Sequence, residues 1–95
     1  MSFRISLEAE EDLIRIAEFG AQLFGPAQAR RYHDQLFDVF ELLASNPRIS
    51  RERVELSPPV RMHPFKAHLI VYTIGADGRI LIVRIRHGHE DWASK

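Results

Sequence analysis

The sequence predicts an α+β fold in the order β-α-α-β-β-β, with a helical hairpin packed on an antiparallel sheet. Three observations lead to this prediction. Apolar and polar residues alternate at the N-terminus, apolar residues recur at helical spacing through residues 9–43, and strand-like apolar runs return over residues 60–86. Segregation of helices and strands along a chain is typical of α+β proteins. A length of 95 residues, 45% of them hydrophobic, fits one domain over residues 1–95.

A strand and two helices are predicted in the first half of the chain. Alternation over residues 2–7 predicts the strand, and Ser6 is a suitable N-cap for the helix that follows. Four carboxylates complement the positive end of that helix dipole: Glu8, Glu10, Glu11 and Asp12. Gly25-Pro26 ends the first helix and begins the second, which ends at Asn46-Pro47. Helices joined this closely form an antiparallel hairpin.

Each predicted helix carries an apolar stripe that we expect to face the sheet. The stripe on the first helix consists of Ala9, Leu13, Ile16, Gly20 and Phe24. The stripe on the second consists of Ala29, Tyr32, Leu36, Val39, Phe40 and Leu43. Four large apolar side chains fall outside both stripes: Ile14, Phe19, Phe37 and Leu42. The seam between the helices accounts for about two of them, so the set favours an exposed surface for a partner segment.

The second half of the chain predicts three strands, over residues 60–65, 68–74 and 80–86. Pro64 makes the first of these an edge or bulged strand, and residues 75–78 connect the last two as a hairpin. Residues 47–59 are predicted as an exposed loop. Alternation along the last strand predicts one face with Leu81, Val83 and Ile85 and another with Ile80, Ile82, Arg84 and Arg86.

Formal charge divides the chain into two halves although its sum is zero, with 13 basic and 13 acidic residues. Residues 1–46 contain 4 basic and 8 acidic side chains, a net of −4, and residues 47–95 contain 9 and 5, a net of +4. The zero sum argues against a general binder of nucleic acids or membrane surfaces. A basic cluster is predicted at one end of the sheet: Arg61, Arg84, Arg86 and His87. It either binds phosphate or carboxylate or is a solvated face whose arginines pair with local carboxylates.

Few residues indicate metal or cofactor chemistry. The chain has no cysteine, so thiolate metal sites and cysteine nucleophiles are excluded. The two histidines within residues 87–89 lack a further ligand at a recognised spacing, so we expect no metal and no cofactor. Candidates for acid–base catalysis are His63, His68 and His87. Trp92 is interpreted as a clamp of the C-terminal tail on the core. With neither a signal peptide nor a membrane-spanning run, we expect a cytoplasmic protein.

Five segments in order resemble the ParE/RelE superfamily of toxins from bacterial type II toxin–antitoxin modules, and the ParE branch is the most similar. The segments are residues 5–13, Phe24-Gly25-Pro26, residues 42–48, Leu69-Ile70-Val71-Tyr72 and residues 82–88. The resemblance implies a small cytoplasmic toxin that a ParD-like antitoxin neutralises by wrapping a C-terminal segment over its helices and sheet. It thereby assigns antitoxin binding to the four apolar residues outside the stripes.

The two branches of the superfamily imply different activities. ParE-type toxins inhibit DNA gyrase without a recognised catalytic site, whereas RelE-type toxins cut messenger RNA on the ribosome. Leu69 occupies the position of a catalytic arginine in the ribonuclease branch, and the zero net charge also differs from those strongly basic enzymes. The sequence therefore favours a gyrase inhibitor that acts by protein binding, with no catalytic residue, no membrane contact and no sequence-specific nucleic-acid binding by the toxin alone.

The net charge of +4 in the second half of a chain without catalytic motifs predicts a surface for the target. The predicted target-binding residues are Arg61, Arg84, Arg86, His87 and Trp92. The alternative is a ribosome-dependent endoribonuclease of the RelE type, whose catalytic residues would be His87, Arg84 and Arg61. A toxin relic that still binds its antitoxin without being toxic is also compatible with the sequence.

Overall fold

The computed structural model describes residues 3–88, which form two helices packed on a five-stranded sheet. The elements in chain order are β1 (Phe3–Ile5), α1 (Leu7–Phe24), α2 (Pro26–Ser45), β2 (Glu52–Arg53), β3 (Val60–Phe65), β4 (His68–Ile74) and β5 (Ile80–His87). The α+β class and the predicted order are confirmed. The two-residue strand β2 is an addition, because residues 47–59 were expected to form only a loop.

The sheet has the order β1-β5-β4-β3-β2 and is mixed, not wholly antiparallel as expected. Strands β2 to β5 pair with antiparallel neighbours, whereas β1 lies parallel to β5, with Phe3 opposite Ile80. Periodicity predicts which residues form a strand but contains no information on which edge that strand joins. One edge of β5 pairs with β4, and β1 pairs with the first residues of the other edge.

Local signals in the sequence set the helix boundaries correctly. The Ser6 hydroxyl accepts a hydrogen bond from the Ala9 amide at 3.0 Å and donates one to the Val83 carbonyl at 2.7 Å. Gly25, with φ of 93°, ends α1, and Pro26 begins α2. The Asn46 amide caps α2 by donating to the carbonyls of its last turn. Within residues 3–88, neither helix combines the length and apolar character needed to cross a membrane.

The hydrophobic core lies between the two helices and the central strands. Its largest fully buried side chains are Tyr72, Phe40, Leu36, Leu43, Ile70, Ile80, Ile82 and Val71. The buried Tyr72 hydroxyl donates to the Pro47 carbonyl at 2.8 Å, which ties the end of α2 to β4. From α1 the core receives Ala9, Leu13 and, partly, Ile16. The expected burial of Phe24 is wrong: it lies at the last position of α1, beyond these contacts, and is 63% exposed.

A β-bulge in β5 changes the faces that were predicted for this strand. Tyr72 is paired with Ile82 but its neighbour Val71 is paired with Arg84, so Val83 has no partner in the register. The alternation therefore shifts by one residue, and Ile85 is buried in the core together with Ile80 and Ile82. The prediction that grouped Ile85 with Leu81 and Val83 was wrong for this reason.

Candidate partner-binding groove

An open groove of about 850 Å³ lies beside α1. One wall comes from the C-terminal half of α1, the floor from the start of α2, and one end from the β3–β4 turn and the ends of β4 and β5. We call it the helix groove and define it by Phe19, Leu23, Phe24, Tyr32, Lys66, His68 and His87. It is the site that the described residues 3–88 offer to a partner, because an apolar wall and a polar end face the same space.

The α1 wall of the helix groove is apolar and exposed to solvent. The exposed fractions of Phe19, Leu23 and Phe24 are 63%, 57% and 63%. Phe19 and Leu23 are four positions apart, so their side chains lie one above the other on the same side of α1. Gly20 lies between them in sequence and opposite Ala29, where the two helices approach closely. A contiguous patch of large apolar side chains beside a groove is characteristic of a protein-interaction surface.

The opposite end of the helix groove is polar, and we call it the histidine end: Tyr32, Lys66, His68 and His87. The Tyr32 hydroxyl lies 2.6 Å from Nδ1 of His68. His68 and His87 are cross-strand neighbours on β4 and β5, with ring centroids 5.8 Å apart. The Lys66 ammonium donates to the Gln35 side-chain oxygen at 2.8 Å and lies 5.8 Å from the centre of the Tyr32 ring.

Burial sets the protonation states at the histidine end. It lowers the pKa of His68 below its ordinary value, and the neighbouring His87 lowers that pKa further. Burial also raises the pKa of the Tyr32 phenol. At neutral pH both groups are therefore uncharged, and the Tyr32 hydroxyl and Nδ1 of His68 share one hydrogen bond. The tautomer of the neutral imidazole decides which of the two is the donor.

The four residues predicted to bind an antitoxin do not form one surface. Phe19 lines the helix groove. Ile14 is 58% exposed but is five positions away from Phe19, about 140° around the axis of α1, and Leu42 lies near the end of α2. The prediction that Phe37 is exposed was wrong. It packs against the core, with its ring centroid 5.1 Å from that of Phe40, because the seam between α2 and β1 requires a second apolar stripe.

Two residues of the α1 wall of the helix groove were missed in the sequence. Phe24 was assigned to the core stripe of the first helix, and Leu23 was not singled out. The four-residue spacing of Phe19 and Leu23 is the signal that identifies Leu23, because both side chains lie on the flank of the stripe formed by Ala9 and Leu13.

The predicted basic cluster is divided among separate contacts. Arg61 donates to the Ser50 carbonyl at 2.7 Å. It lies on β3, and β4 separates this strand from β5. Arg61 is opposite Tyr72 and His87 is opposite His68, so the two lie about 13 Å apart in the strand direction.

Arg86 and His87 also lie apart from Arg61. Arg86 is half-buried opposite Leu69, next to His87 at the end of β5. Trp92 lies outside the described residues, as does the second histidine of the pair at 87–89. Among residues 3–88, no group of three or more metal-ligating side chains is close enough to hold an ion. Of the predicted cluster, Arg86 and His87 are consecutive residues at the end of β5.

Arg84 belongs to an ion pair inside the fold. Its guanidinium donates twice to Asp12, at 2.8 and 3.0 Å, and Asp12 also accepts from the Ile85 amide at 2.9 Å. Asp12 is only 5% exposed, so its role extends well beyond the dipole interaction predicted for it. Burial acts to raise the pKa of Asp12, but the hydrogen bonds from Arg84, Ile85 and Arg15 and the charge of Arg84 lower it overall. For Arg84, the interpretation of an arginine paired with a local carboxylate is confirmed.

The fold is shared with a solved structure. A solved structure described as a chromosomal ParDE TA system from P. aeruginosa matches it with a TM-score of 0.78, covering 92% of this chain and 95% of the other. Its 21% sequence identity shows the fold alone. Toxin ParE1 from two strains of Mycobacterium tuberculosis, CDC 1551 / Oshkosh and H37Rv, is 29% identical over 89 residues, covering 94% of this chain and 91% of that toxin.

A match to a family profile identifies the family. The sequence profile described as ParE toxin of type II toxin-antitoxin system, parDE, matches residues 3–92. The chain belongs to the ParE toxin family. This confirms the resemblance found in the sequence, including the preference for the ParE branch of the superfamily.

Proposed function

We propose that this chain is the toxin of a type II module and that a ParD-like antitoxin neutralises it by binding an apolar segment in the helix groove. The observation that carries the proposal is the exposed wall of Phe19, Leu23 and Phe24 beside a groove of about 850 Å³. Membership of the ParE family supports it, as does the fold shared with a structure named for a ParDE system.

The energetics of the groove suit a segment that becomes ordered on binding. Complete burial of a Phe or Leu side chain stabilises by about 1.5–3 kcal/mol. Roughly three fifths of each of the three wall residues is still exposed, so covering them contributes about 3–5 kcal/mol. The ordering of a disordered segment costs about 2–5 kcal/mol. The wall therefore offsets the cost of folding the segment, and the affinity comes from the remaining contacts, including those at the histidine end.

Capture of the antitoxin by toxin variants tests this proposal. Any short open reading frame adjacent to the toxin gene is co-expressed with the tagged toxin, and the amount of co-purified antitoxin is measured. We expect Phe19→Asp and Leu23→Asp each to reduce capture strongly, because a carboxylate would be buried against the apolar segment. Ile14→Asp is the matched control, since Ile14 is equally exposed on α1 but lies outside the groove lining.

Each result of the capture experiment has a defined meaning. Full capture by both groove variants would contradict the proposed docking site. Loss of capture by Ile14→Asp as well would extend the footprint to the wider set predicted from the sequence. Circular dichroism of each variant separates loss of binding from loss of fold.

For the target, we infer that the free toxin inhibits DNA gyrase through protein contacts at the end of β5, around Arg86 and His87. Family membership supports this target. The separation of Arg61 from His87 and the ion pair of Arg84 with Asp12 weigh against a catalytic centre made of these three residues. The proposal requires the toxin to act in the cytoplasm, where chromosomal DNA is supercoiled.

A supercoiling assay tests the inferred target. We expect purified toxin to inhibit negative supercoiling by gyrase, and the antitoxin to restore it. Arg86→Gln should weaken inhibition, whereas Arg79→Gln, in the turn before β5, is the control. Undisturbed supercoiling at micromolar excess of toxin would remove gyrase as the target. Codon-linked cuts, detected by primer extension on messenger RNA after induction, would instead favour the ribonuclease alternative.

A further inference from the structure

The histidine end differs from the rest of the helix groove because it combines an ammonium group with two imidazole rings. The Lys66 ammonium has three N–H groups and directs one of them to Gln35. Nδ1 of His68 contacts the Tyr32 hydroxyl, which leaves Nε2 of that ring for a ligand. The His87 ring lies on the neighbouring strand, with its centroid 5.8 Å from that of His68. A ligand that contacts the Lys66 ammonium must supply acceptors.

The charges that face the histidine end favour an anion. On α1, Arg15 and Glu18 line the helix groove one turn apart, and their opposite charges cancel. From α2 the only titratable group in the lining is the Tyr32 phenol, which is neutral. The turn contributes the Lys66 charge, and the strands contribute the two imidazoles. The local balance is positive at neutral pH and becomes more positive when either imidazole is protonated.

We propose that the histidine end is a carboxylate subsite: the protein segment that fills the helix groove places an acidic side chain against Lys66, His68 and His87. This inference rests on the proposed function in that a protein segment occupies the groove. The ligand must meet two chemical requirements. Its apolar side chains must cover Phe19 and Leu23, and its carboxylate must reach Lys66 at the histidine end. An amphipathic acidic segment meets both. A nucleic-acid backbone would bring its phosphates against the same apolar wall and gain nothing there.

Proton linkage follows from this arrangement. A carboxylate beside His68 favours the protonated form of that imidazole, and by reciprocity protonation strengthens binding of the carboxylate. Burial opposes the charged form of His68 in the unoccupied groove, so binding takes up protons as the carboxylate arrives. Affinity for an acidic segment should therefore rise as the pH falls from about 8 to about 6.

A small amphiphilic anion tests the subsite without knowledge of the partner sequence. Octanoate is titrated into the full chain with NMR detection and compared with octan-1-ol and octylammonium, which have the same apolar tail. We expect octanoate to bind roughly tenfold more tightly than octan-1-ol, the effect of a charge-assisted hydrogen bond. Octylammonium should bind most weakly. Equal affinity of octanoate and octan-1-ol, or stronger binding of octylammonium, would overturn the proposal.

Variants locate the bound carboxylate. Lys66→Met and His87→Gln should each weaken octanoate about fivefold and leave octan-1-ol unchanged, since they remove donors but not the apolar wall. The matched control is His63→Gln, because His63 lies on β3 and pairs with Ser50 outside the groove lining. Octanoate affinity that is unchanged in both groove variants would overturn the assignment of these donors.

The remaining measurements distinguish this inference from the proposed function. If the antitoxin is captured equally by wild type, Lys66→Met and His87→Gln at both pH values, the subsite is wrong while the docking site stands. If octanoate binds as expected and no antitoxin is captured, the subsite stands and the proposed function fails. Inorganic phosphate that binds more tightly than octanoate would overturn the inference in favour of a nucleic-acid backbone. Octanoate affinity that rises on removal of residues 89–95 would identify the chain itself as the occupant and overturn a separate partner.

Discussion

The first turns of α1 and its last turns have opposite surroundings. At the start, Asp12 is a charged side chain that is almost completely buried, and every contact around it is internal to the fold. At the end, Phe19 and Phe24 are large apolar side chains that are mostly exposed. In each case the residue type is the reverse of what its exposure would ordinarily favour.

The two ends of α1 therefore serve different purposes. Among the described residues, β1 pairs with this edge of β5 at three residues only, and Asp12 accepts a hydrogen bond from an amide beyond them, that of Ile85. A buried carboxylate is stable there because it receives hydrogen bonds from that amide and from Arg84. The exposed phenylalanines have no such compensation within residues 3–88. The contrast indicates that the first end of α1 fixes the fold, whereas the last end is the one that we propose a partner covers.

The largest expected effect breaks the buried end. Asp12→Ala leaves the Ile85 amide and the guanidinium of Arg84 without their shared acceptor, which should lower the free energy of unfolding by about 3 kcal/mol. Urea unfolding followed by circular dichroism measures it. Arg15→Gln is the control, because Arg15 is 63% exposed at its side chain and its pair with Asp12 is screened by water, so it should change stability by less than about 1 kcal/mol. A loss below about 1 kcal/mol for Asp12→Ala would show that the ion pair does not fix the edge of β5.

An intermediate effect is expected at the exposed end, and it should appear only in binding. Phe24→Ser removes a side chain that makes few internal contacts, so the free energy of unfolding should change by no more than about 0.5 kcal/mol. Antitoxin affinity should fall by about 2 kcal/mol, or roughly 30-fold, because that side chain is covered in the complex. Calorimetric titration with the antitoxin measures the affinity. A variant that loses stability as well as affinity would show that Phe24 belongs to the core after all.

The contrast between the ends of α1 also explains which features the sequence could predict. Caps and turns depend on neighbouring residues, so Ser6, Gly25 and Asn46 were identified correctly as helix boundaries. The pair of Asp12 with Arg84 joins residues 72 positions apart, and no local pattern indicates it. The bulge at Val83 is equally hidden, because it depends on the register between two strands.

The candidate site was predictable only in part, for a related reason. Off-stripe apolar residues correctly indicated Phe19 as an exposed side chain, but the same criterion selected Phe37, which packs on Phe3 and Phe40. A helical wheel assumes one buried face, whereas α2 contacts both α1 and the sheet. The histidine end was not predicted as a unit. His68 and Tyr32 are 36 positions apart and meet only because α2 lies across the start of β4.

The smallest expected effect is a pH dependence of stability. A single experiment separates the contribution of His68, at the histidine end of the helix groove, from that of Asp12, at the start of α1. Burial lowers the pKa of His68 in the folded state, so the unfolded state binds more protons and stability falls as the pH drops below the ordinary histidine value, from about 7 to about 5. The pKa of Asp12 is also lowered, but the stability that its ionised form contributes is present above the ordinary carboxyl value and is lost only in more acidic solution. Urea midpoints measured from neutral pH to below the ordinary carboxyl pKa should therefore show two separate declines. His68→Gln should flatten the first and keep the second, while His63→Gln should retain both. A decline near neutral pH that persists in His68→Gln would assign it to a group outside the helix groove and remove the proton linkage of the histidine end.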